Sequence, residues 1–474
     1  MTEVRALPIA GDRVTTGEEI VVASPYDGAE LARVPKCGPP EVDRAVDAAR
    51  DALSRGPLPA WQRAEILDRA ARLLDERSED FARIIAAEAA KPLKTARIEA
   101  QRAVSTFTFA AVEARTLAGD IVPMDASDAG EGKLGFTLRL PIGVVGAISP
   151  FNFPLNLIAH KVAPAIAAGC PLVLKPATQT PLSAVALAEL LLDECGLPSG
   201  QLHVVAGGGG TVGNALVDHP DVAMITFTGS PDVGWGIRGR APRKKVGLEL
   251  GNNAPVILEG DADYETAAAK ISVGGFSHAG QSCISTQRVY VHESIAPKFL
   301  DALVPKVEAL KVGDPLDETT DVSSLISTDE RDRVASWIDE AKAAGADVLT
   351  GGEIDGPFVR PTVLANVKPD MKVCALEVFG PVVAVQTYTD VGEAFRLAND
   401  SRYGLQAAVF TADLGTALRA ARTLEYGGVL VNEIPTYRTD QMPYGGVRDS
   451  GNTREGPHSA VREMTEERLI VIQA

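Results

Sequence analysis

Cys283 sits in Phe-Ser-His-Ala-Gly-Gln-Ser-Cys-Ile-Ser (276–285), where Gly280 and small neighbours let a backbone or a ligand come close to the sulfur. A nucleophilic thiol needs that access, together with local help in forming thiolate. A cysteine taken alone is more often a small buried hydrophobe than a catalyst, so its sequence context has to decide. Glu249 ends the apolar run Val-Gly-Leu-Glu-Leu-Gly (246–251). A carboxylate there is unfavourable to bury unpaired, and one whose pKa is raised can serve as a general base toward water; a cap or salt bridge is the plainer alternative. Asn152, in Ser-Pro-Phe-Asn-Phe-Pro-Leu (149–155), lies in a turn stiffened by proline on both sides. A rigidly held side-chain amide suits an oxyanion, although asparagine also favours turns that have no such duty.

A second group of residues suits a nucleotide. The stretch Ile-Thr-Phe-Thr-Gly-Ser-Pro-Asp-Val-Gly (225–234) reads as a strand, a glycine turn at Gly229 and a helix start with Ser230 as N-cap. Helix N-termini bind phosphate through free amides and the helix dipole. The spacing of Gly229 and Gly234 is not the G-x-G-x-x-G fingerprint, so the motif by itself is weak. Pro-Leu-Val-Leu-Lys-Pro-Ala-Thr (171–178) ends a buried strand on Lys175. A charge in that place calls for a ligand or a carboxylate, and the adenosine ribose or its 2′-phosphate fits. A lysine that snorkels to the surface is the alternative.

The elements that must hold these residues follow from periodicity. Val42, Ala45, Val46, Ala49 and Leu53 share one helical face, as do Ile66, Leu67, Ala70, Leu73 and Leu74, so a helical layer is expected before any sheet. From residue 143 short apolar runs (143–149, 172–175, 203–206, 223–228 and 246–250) alternate with helical stretches such as 183–195, the pattern of buried parallel strands with crossover helices. After Gly251 a second set appears, with strands predicted at 288–292, 359–364, 382–387, 407–410 and 428–432. The runs 134–140 and 468–474 read as detached strands in search of an edge, and a neighbouring subunit could supply it. Gly207–Gly210 reads as a loop.

Taken in this order, the pieces resemble the aldehyde dehydrogenase superfamily from about residue 15 to the end. The matching stretches are Ser-Pro-Phe-Asn-Phe-Pro (149–154), Leu-Lys-Pro-Ala (174–177), Phe-Thr-Gly-Ser (227–230), Leu-Glu-Leu-Gly (248–251), Gly-Gln-Ser-Cys (280–283), Glu-Val-Phe-Gly-Pro-Val (377–382) and Met-Pro-Tyr-Gly-Gly-Val (442–447). The resemblance implies Cys283 as nucleophile, Glu249 as base for thioester hydrolysis, and Asn152 as oxyanion donor beside the Cys283 backbone N–H. It implies NAD(P)⁺ as cofactor, with Lys175 at the adenine-side ribose, Gly229 and Ser230 at the pyrophosphate, and Glu377 and Phe379 at the nicotinamide ribose and ring. Phe151, Gly213 and Gly251 match further neighbours of the cofactor.

Three departures refine this. Where many NAD⁺-preferring members carry Glu, three residues after the lysine, this chain has Thr178; losing that carboxylate removes a repulsion against a 2′-phosphate, and NADP⁺ or dual use is expected. The usual Gly-Gly is Gly251-Asn252, and asparagine, which tolerates left-handed backbone, is expected to keep the turn. The stretch 435–447 is closer to lactaldehyde, succinate-semialdehyde and phosphonoacetaldehyde dehydrogenases than to betaine-aldehyde enzymes. Arg438 and Arg102 are candidates for an anionic substrate tail, with Phe153 and Tyr437 beside them. A surface or interdomain salt bridge is the alternative for either arginine.

Bulk properties bound the rest. The 474 residues exceed one ordinary core, and 63 acidic against 46 basic side chains leave a net charge of −17, which argues against nucleic acid or an anionic membrane surface as partner. The longest apolar stretch, 162–174, is about half a bilayer span and contains Pro164 and Pro171. The start of the chain has no signal-peptide pattern, and five scattered cysteines fit a reducing compartment, so a cytoplasmic location is expected. The six histidines show no metal-ligand spacing, which sets aside a metal-dependent alcohol dehydrogenase. A CoA-acylating enzyme would not need Glu249, and a non-catalytic protein would not need the cysteine, the glutamate and the asparagine together. The expected fold is α/β: a parallel-sheet, Rossmann-like cofactor domain from 1–121 and 142–250, a second α/β catalytic domain from 251–452, and a small β element for homodimer or homotetramer assembly from 122–141 and 453–474.

Overall fold

The computed structural model describes residues 4–473. Two antiparallel hairpins come first, Leu7–Ile9 with Asp12–Val14 and Glu19–Ala23 with Glu30–Pro35. The helical layer expected at the start therefore follows two small sheets; strands this short carry too little periodicity to register beside long helices. The helices are Pro39–Ser54, Ala60–Glu76, Ser78–Ala89 and Leu93–Thr116. Proline opens the first, and Glu41 closes its start by accepting from the Gly38 N–H at 2.7 Å. Val42, Ala45, Val46 and Ala49, and Ile66, Leu67, Ala70, Leu73 and Leu74, are buried on the faces their spacing predicts.

The first large sheet has five parallel strands in the order Lys245–Glu249, Val222–Thr228, Val144–Ile148, Leu172–Lys175 and Leu202–Val204. Chain order reverses beside Val144–Ile148, and α/β sheets hold ligands at such a switch point, beyond the carboxyl ends of the strands. Ile148 is in register with Lys175 and with Phe227, and Thr228 with Glu249. Lys175, Gly229 and Glu249, together with the turn after Ile148, thus share one edge. The helix expected at 183–195 runs from Leu182 to Glu189 and finishes in a wider π turn, Leu190–Glu194. Gly209–Gly213 also coils into a π turn, so only the start of the glycine run is open loop.

The second sheet has seven strands in the order Asp347–Thr350, Thr362–Ala365, Val382–Tyr388, Arg288–His292, Pro255–Leu258, Gln406–Phe410 and Gly428–Val431. All pairs are parallel except the edge strand Asp347–Thr350. The run 359–364 is not one strand: it breaks at Pro361 into Phe358–Val359, in a separate hairpin, and Thr362–Ala365, because proline cannot donate to a ladder. Pro255–Leu258, a central strand that begins on a proline, carried too short a signal to be read.

The detached strands find each other. Lys133–Pro141 pairs antiparallel with Thr465–Gln473 over its whole length, and Ile121–Val122 adds a third strand. The edge each needs comes from the same chain, more than three hundred residues away, which no local pattern can reveal. One apolar core gathers residues up to Leu250 with Val461 and Met464, and further clusters run from Val256 to Tyr444. Among the described residues, no helix is long and apolar enough to cross a membrane.

Candidate active site

His278, Ala279 and Gly280 are consecutive left-handed residues, with φ of 51°, 53° and 72°. For the first two this conformation costs on the order of 1–3 kcal/mol each. At Gly280 a Cβ would run into the Gly380 carbonyl, so only glycine fits. This tight turn presses the cysteine loop against the segment carrying Glu377 and Phe379. Phe379 is itself left-handed at φ 47°, and its ring meets Phe151 edge-on at 5.9 Å between centroids.

Cys283 is half-buried, whereas the other four cysteines are buried. Its Sγ lies 2.9 Å from the Tyr444 hydroxyl. Burial pushes the thiol up to about 12; the Tyr444 hydrogen bond and Arg438 pull it down, while Glu377 and Glu249 add to the rise. Thiolate therefore forms only if a nearby group takes the proton.

Glu249 is 3% exposed, and neither of its oxygens has a hydrogen-bond partner. Burial, reinforced by the charge of Glu455, holds its pKa well above the usual range against the pull of Arg438, Lys161 and Arg454. Glu455 is the opposite case. Burial disfavours its charge too, but Arg438 at 2.9 Å and Lys161 at 3.6 Å outweigh that and keep it ionised. Of two neighbouring buried carboxylates, one is fixed as an anion and the other is free to exchange a proton, which is how acid and base roles are separated.

Asn152 is buried and donates through Nδ2 to the Gln281 carbonyl at 2.9 Å. An amide nitrogen has two hydrogens, so one bond locks the group to the cysteine loop and leaves the other N–H for an oxyanion. Asn152, Glu249 and Cys283 all open onto one cleft of about 930 Å³, which is also lined by Phe151, Gly229, Ser230, Gly251, Glu377 and Phe379.

This cleft has room for a dinucleotide, although Lys175, Thr178 and Gly213, expected at its adenine end, are not among its lining residues. Lys175 is buried, its Nζ donates to the Pro176 carbonyl at 3.0 Å, and burial lowers its pKa to about 8. At Gly213 a side chain would sit 3.7 Å from the lysine stem. Thr178, a neutral residue, donates to the Gly207 carbonyl at 3.1 Å. Ser230 occupies the N-cap of the helix Pro231–Arg240 without a side-chain bond to the helix. Glu377 accepts from the Asn252 N–H at 2.9 Å and is pushed up to about 8 by burial. A side chain at Gly251 would overlap that carboxylate. The expected left-handed turn at Gly251-Asn252 is absent, since neither residue has positive φ. Asn252 is there for its bonds, the second running from Nδ2 to the Gln406 carbonyl at 3.2 Å.

A model of the aldehyde dehydrogenase family matches residues 13–470. The chain belongs to the aldehyde dehydrogenase family. It is 47% identical over 474 residues to a 3-sulfolactaldehyde dehydrogenase of Priestia aryabhattai, covering 100% of this chain and 99% of the relative. Among solved structures it is similar to aldehyde dehydrogenase 21 of Physcomitrella patens in complex with succinate, at TM-score 0.96 and 38% identity, covering 100% and 99% of the two chains. It is also similar to a glyceraldehyde-3-phosphate dehydrogenase of Methanocaldococcus jannaschii complexed with NADP, at TM-score 0.93 and 39% identity, covering 97% and 100%. This chain is an NAD(P)⁺-dependent aldehyde dehydrogenase with the α/β fold of that family.

The residues suggested for a substrate tail of this aldehyde dehydrogenase have other partners. Arg102 pairs with Asp440 at 2.9 Å and Arg438 with Glu455 at 2.9 Å, so the salt-bridge alternative describes both arginines. They are not surface bridges: Arg438 is 4% exposed, and Asp440 also holds Asn156 and His160, each at 3.1 Å. This network ties the loop 435–442 to the helices Leu93–Thr116 and Asn156–Ala168. Phe153 lies under the Lys91 ammonium, 3.6 Å from its centroid, and meets His278 edge-on. Tyr437 is 48% exposed.

Sequence reading assigned no role to Tyr444, Lys161 and Glu455. Lys161 had a visible signal, a lone cation beside a long apolar run. Tyr444 lay in the quoted stretch 442–447 without a role of its own, and Glu455 had no signal, because its importance lies in contacts between separate segments.

Proposed function

We propose that this enzyme oxidises a small aldehyde carrying a hydroxyl or anionic group to the carboxylate through a thioester on Cys283. The observation that carries the reading is the convergence on one cleft of a half-buried thiol, an unpartnered buried glutamate and an amide pinned to the cysteine loop. Cys283 attacks the aldehyde carbon, and the free N–H of Asn152 and the Cys283 backbone N–H receive the oxyanion. Bound NAD(P)⁺ supplies the acceptor that oxidises this adduct. Phe151, Gly229, Ser230, Gly251, Glu377 and Phe379 of the cleft would hold it, and Lys175, with Gly213 against its stem, would meet the adenine-side ribose. Glu249 then takes a proton from water as the water attacks the thioester, and the acid is released.

Thr178 in place of a carboxylate, and a cationic Lys175 beside it, favour NADP⁺ or use of both cofactors. An anionic tail is favoured by the buried guanidinium of Arg438, whose Nε is unpartnered, and beside it His160, kept toward its neutral form by burial, has Nδ1 unpartnered. The name of the Priestia relative, a sulfonated hydroxyaldehyde dehydrogenase, points the same way. The domain division at residue 250, cytoplasmic location and assembly into a homodimer or homotetramer through the sheet of Lys133–Pro141 and Thr465–Gln473 complete the reading; exposed Leu134, Leu138, Leu469, Val471 and Ile472 on that sheet support the assembly.

The test is the initial rate of nicotinamide reduction with NAD⁺ or NADP⁺ against 3-sulfolactaldehyde, lactaldehyde, succinic semialdehyde and a neutral aliphatic aldehyde, beside Cys283→Ala. Turnover of the hydroxy or anionic aldehydes that vanishes in the variant is expected. Preference for the neutral aldehyde would overturn the substrate class, and an active variant would overturn the mechanism.

A further inference from the structure

The hydrogen bond between Cys283 and Tyr444 belongs to a larger arrangement. Over the face of the Tyr444 ring, 3.7 Å from its centroid, lies the Arg438 guanidinium, and Glu455 fixes that guanidinium at 2.9 Å. Tyr444 is 3% exposed, so the stack is buried and held in one geometry. A cation over an aromatic face draws on the π electrons and leaves the phenol O–H a stronger donor. The sulfur has complementary needs: a thiol donates and accepts weakly, whereas a thiolate only accepts.

We propose that Tyr444 is a further catalytic residue, whose O–H donates to the Cys283 thiolate, and that Arg438 is a positioning residue that strengthens this donor from the ring face. The proposal rests on the reading of Cys283 as the nucleophile. Once the thiol proton has left for a base, a sulfur lone pair accepts the phenol hydrogen. On attack that sulfur forms the S–C bond, the carbonyl π pair moves to oxygen, and the resulting thioether accepts only weakly. The phenol keeps its proton throughout, and burial, which raises its pKa well above the usual range, favours that. The charged groups facing the sulfur are Glu249 from the first sheet, Glu377 from the segment before Val382–Tyr388, and Arg438 from the loop that carries Tyr444. The two carboxylates oppose thiolate, so the phenol and the arginine are the groups that favour it.

The experiment is the rate of Cys283 alkylation by iodoacetamide as a function of pH, with the labelled residue mapped by mass spectrometry, in wild type, Tyr444→Phe and Arg438→Lys. The four buried cysteines provide the background. Losing one hydrogen bond to a charged acceptor moves the thiol upward by about one unit, so Tyr444→Phe forms about tenfold less thiolate at every pH below the thiol pKa and, with each thiolate about threefold more reactive, is expected to alkylate about threefold more slowly there. Its limiting rate at high pH is equal or higher, because a less stabilised thiolate is the better nucleophile. Arg438→Lys keeps a charge opposite Glu455 but loses the planar stack, and is expected to shift the profile in the same direction by less. A structural role alone would change turnover without moving the profile. Superimposable profiles in wild type and Tyr444→Phe would overturn the proposal while leaving Cys283 as nucleophile. Failure of Cys283 to label in wild type would instead overturn the reading beneath it. If Tyr444→Phe does not fold, an Arg438→Lys profile identical to wild type overturns the proposal.

Discussion

Replacing Glu249 with glutamine tests the division of labour between the two buried carboxylates. The substitution keeps shape and volume, and the carboxyl it replaces has no hydrogen-bond partner to lose. Burial already opposes charge at this position, so a neutral amide does not strain the fold, and the variant is expected to be as stable as the parent. What it loses is the proton acceptor for thioester hydrolysis. Positioned general bases contribute about 10²- to 10⁴-fold, so kcat is expected to fall by that factor, which corresponds to about 3–5 kcal/mol in barrier. The acyl group should then accumulate on Cys283, visible as a mass increment on the intact protein quenched during turnover. The pH dependence carries the sign. Because burial raises the Glu249 pKa, the acid form persists to higher pH than in a free glutamate, and wild-type hydrolysis should increase as pH rises through that pKa. Glu249→Gln should lack that rising limb. A kcat within about tenfold of wild type, or an unchanged pH profile, would refute the reasoning and move the base elsewhere.

Asn152→Ala removes one oxyanion donor and also frees the Gln281 carbonyl; kcat is expected to fall about 10²- to 10³-fold, and steady-state kinetics with cofactor affinity held as a control would check it. Thr178→Glu puts a carboxylate where a 2′-phosphate would approach. NADP⁺ affinity should weaken at least about tenfold by like-charge repulsion while NAD⁺ affinity holds or improves, as read by nucleotide titration of protein fluorescence.

Local chemistry in the sequence determined much of this protein. Apolar runs separated by helical periodicity announced parallel sheets, because a strand covered on both faces has no polar side to show. Cys283, Glu249 and Asn152 each allowed a plainer reading alone, and it was the co-linear family resemblance that singled them out together. The structure brings them to one cleft because two of them lie at the carboxyl edge of the first sheet, and the left-handed turn at Gly280 swings the third across from the second. What only the tertiary structure decided is pairing over long sequence separation. The strands Lys133–Pro141 and Thr465–Gln473 looked unpartnered until the chain's two distant segments met. Arg102 and Arg438 were open to either a substrate tail or a salt bridge until Asp440 and Glu455 were found against them. Glu249 and Glu455 are the same residue type, and the nearby cations leave one protonatable and the other an anion. The energy of a buried charge depends on what surrounds it in space, and the sequence does not record which distant residues those will be.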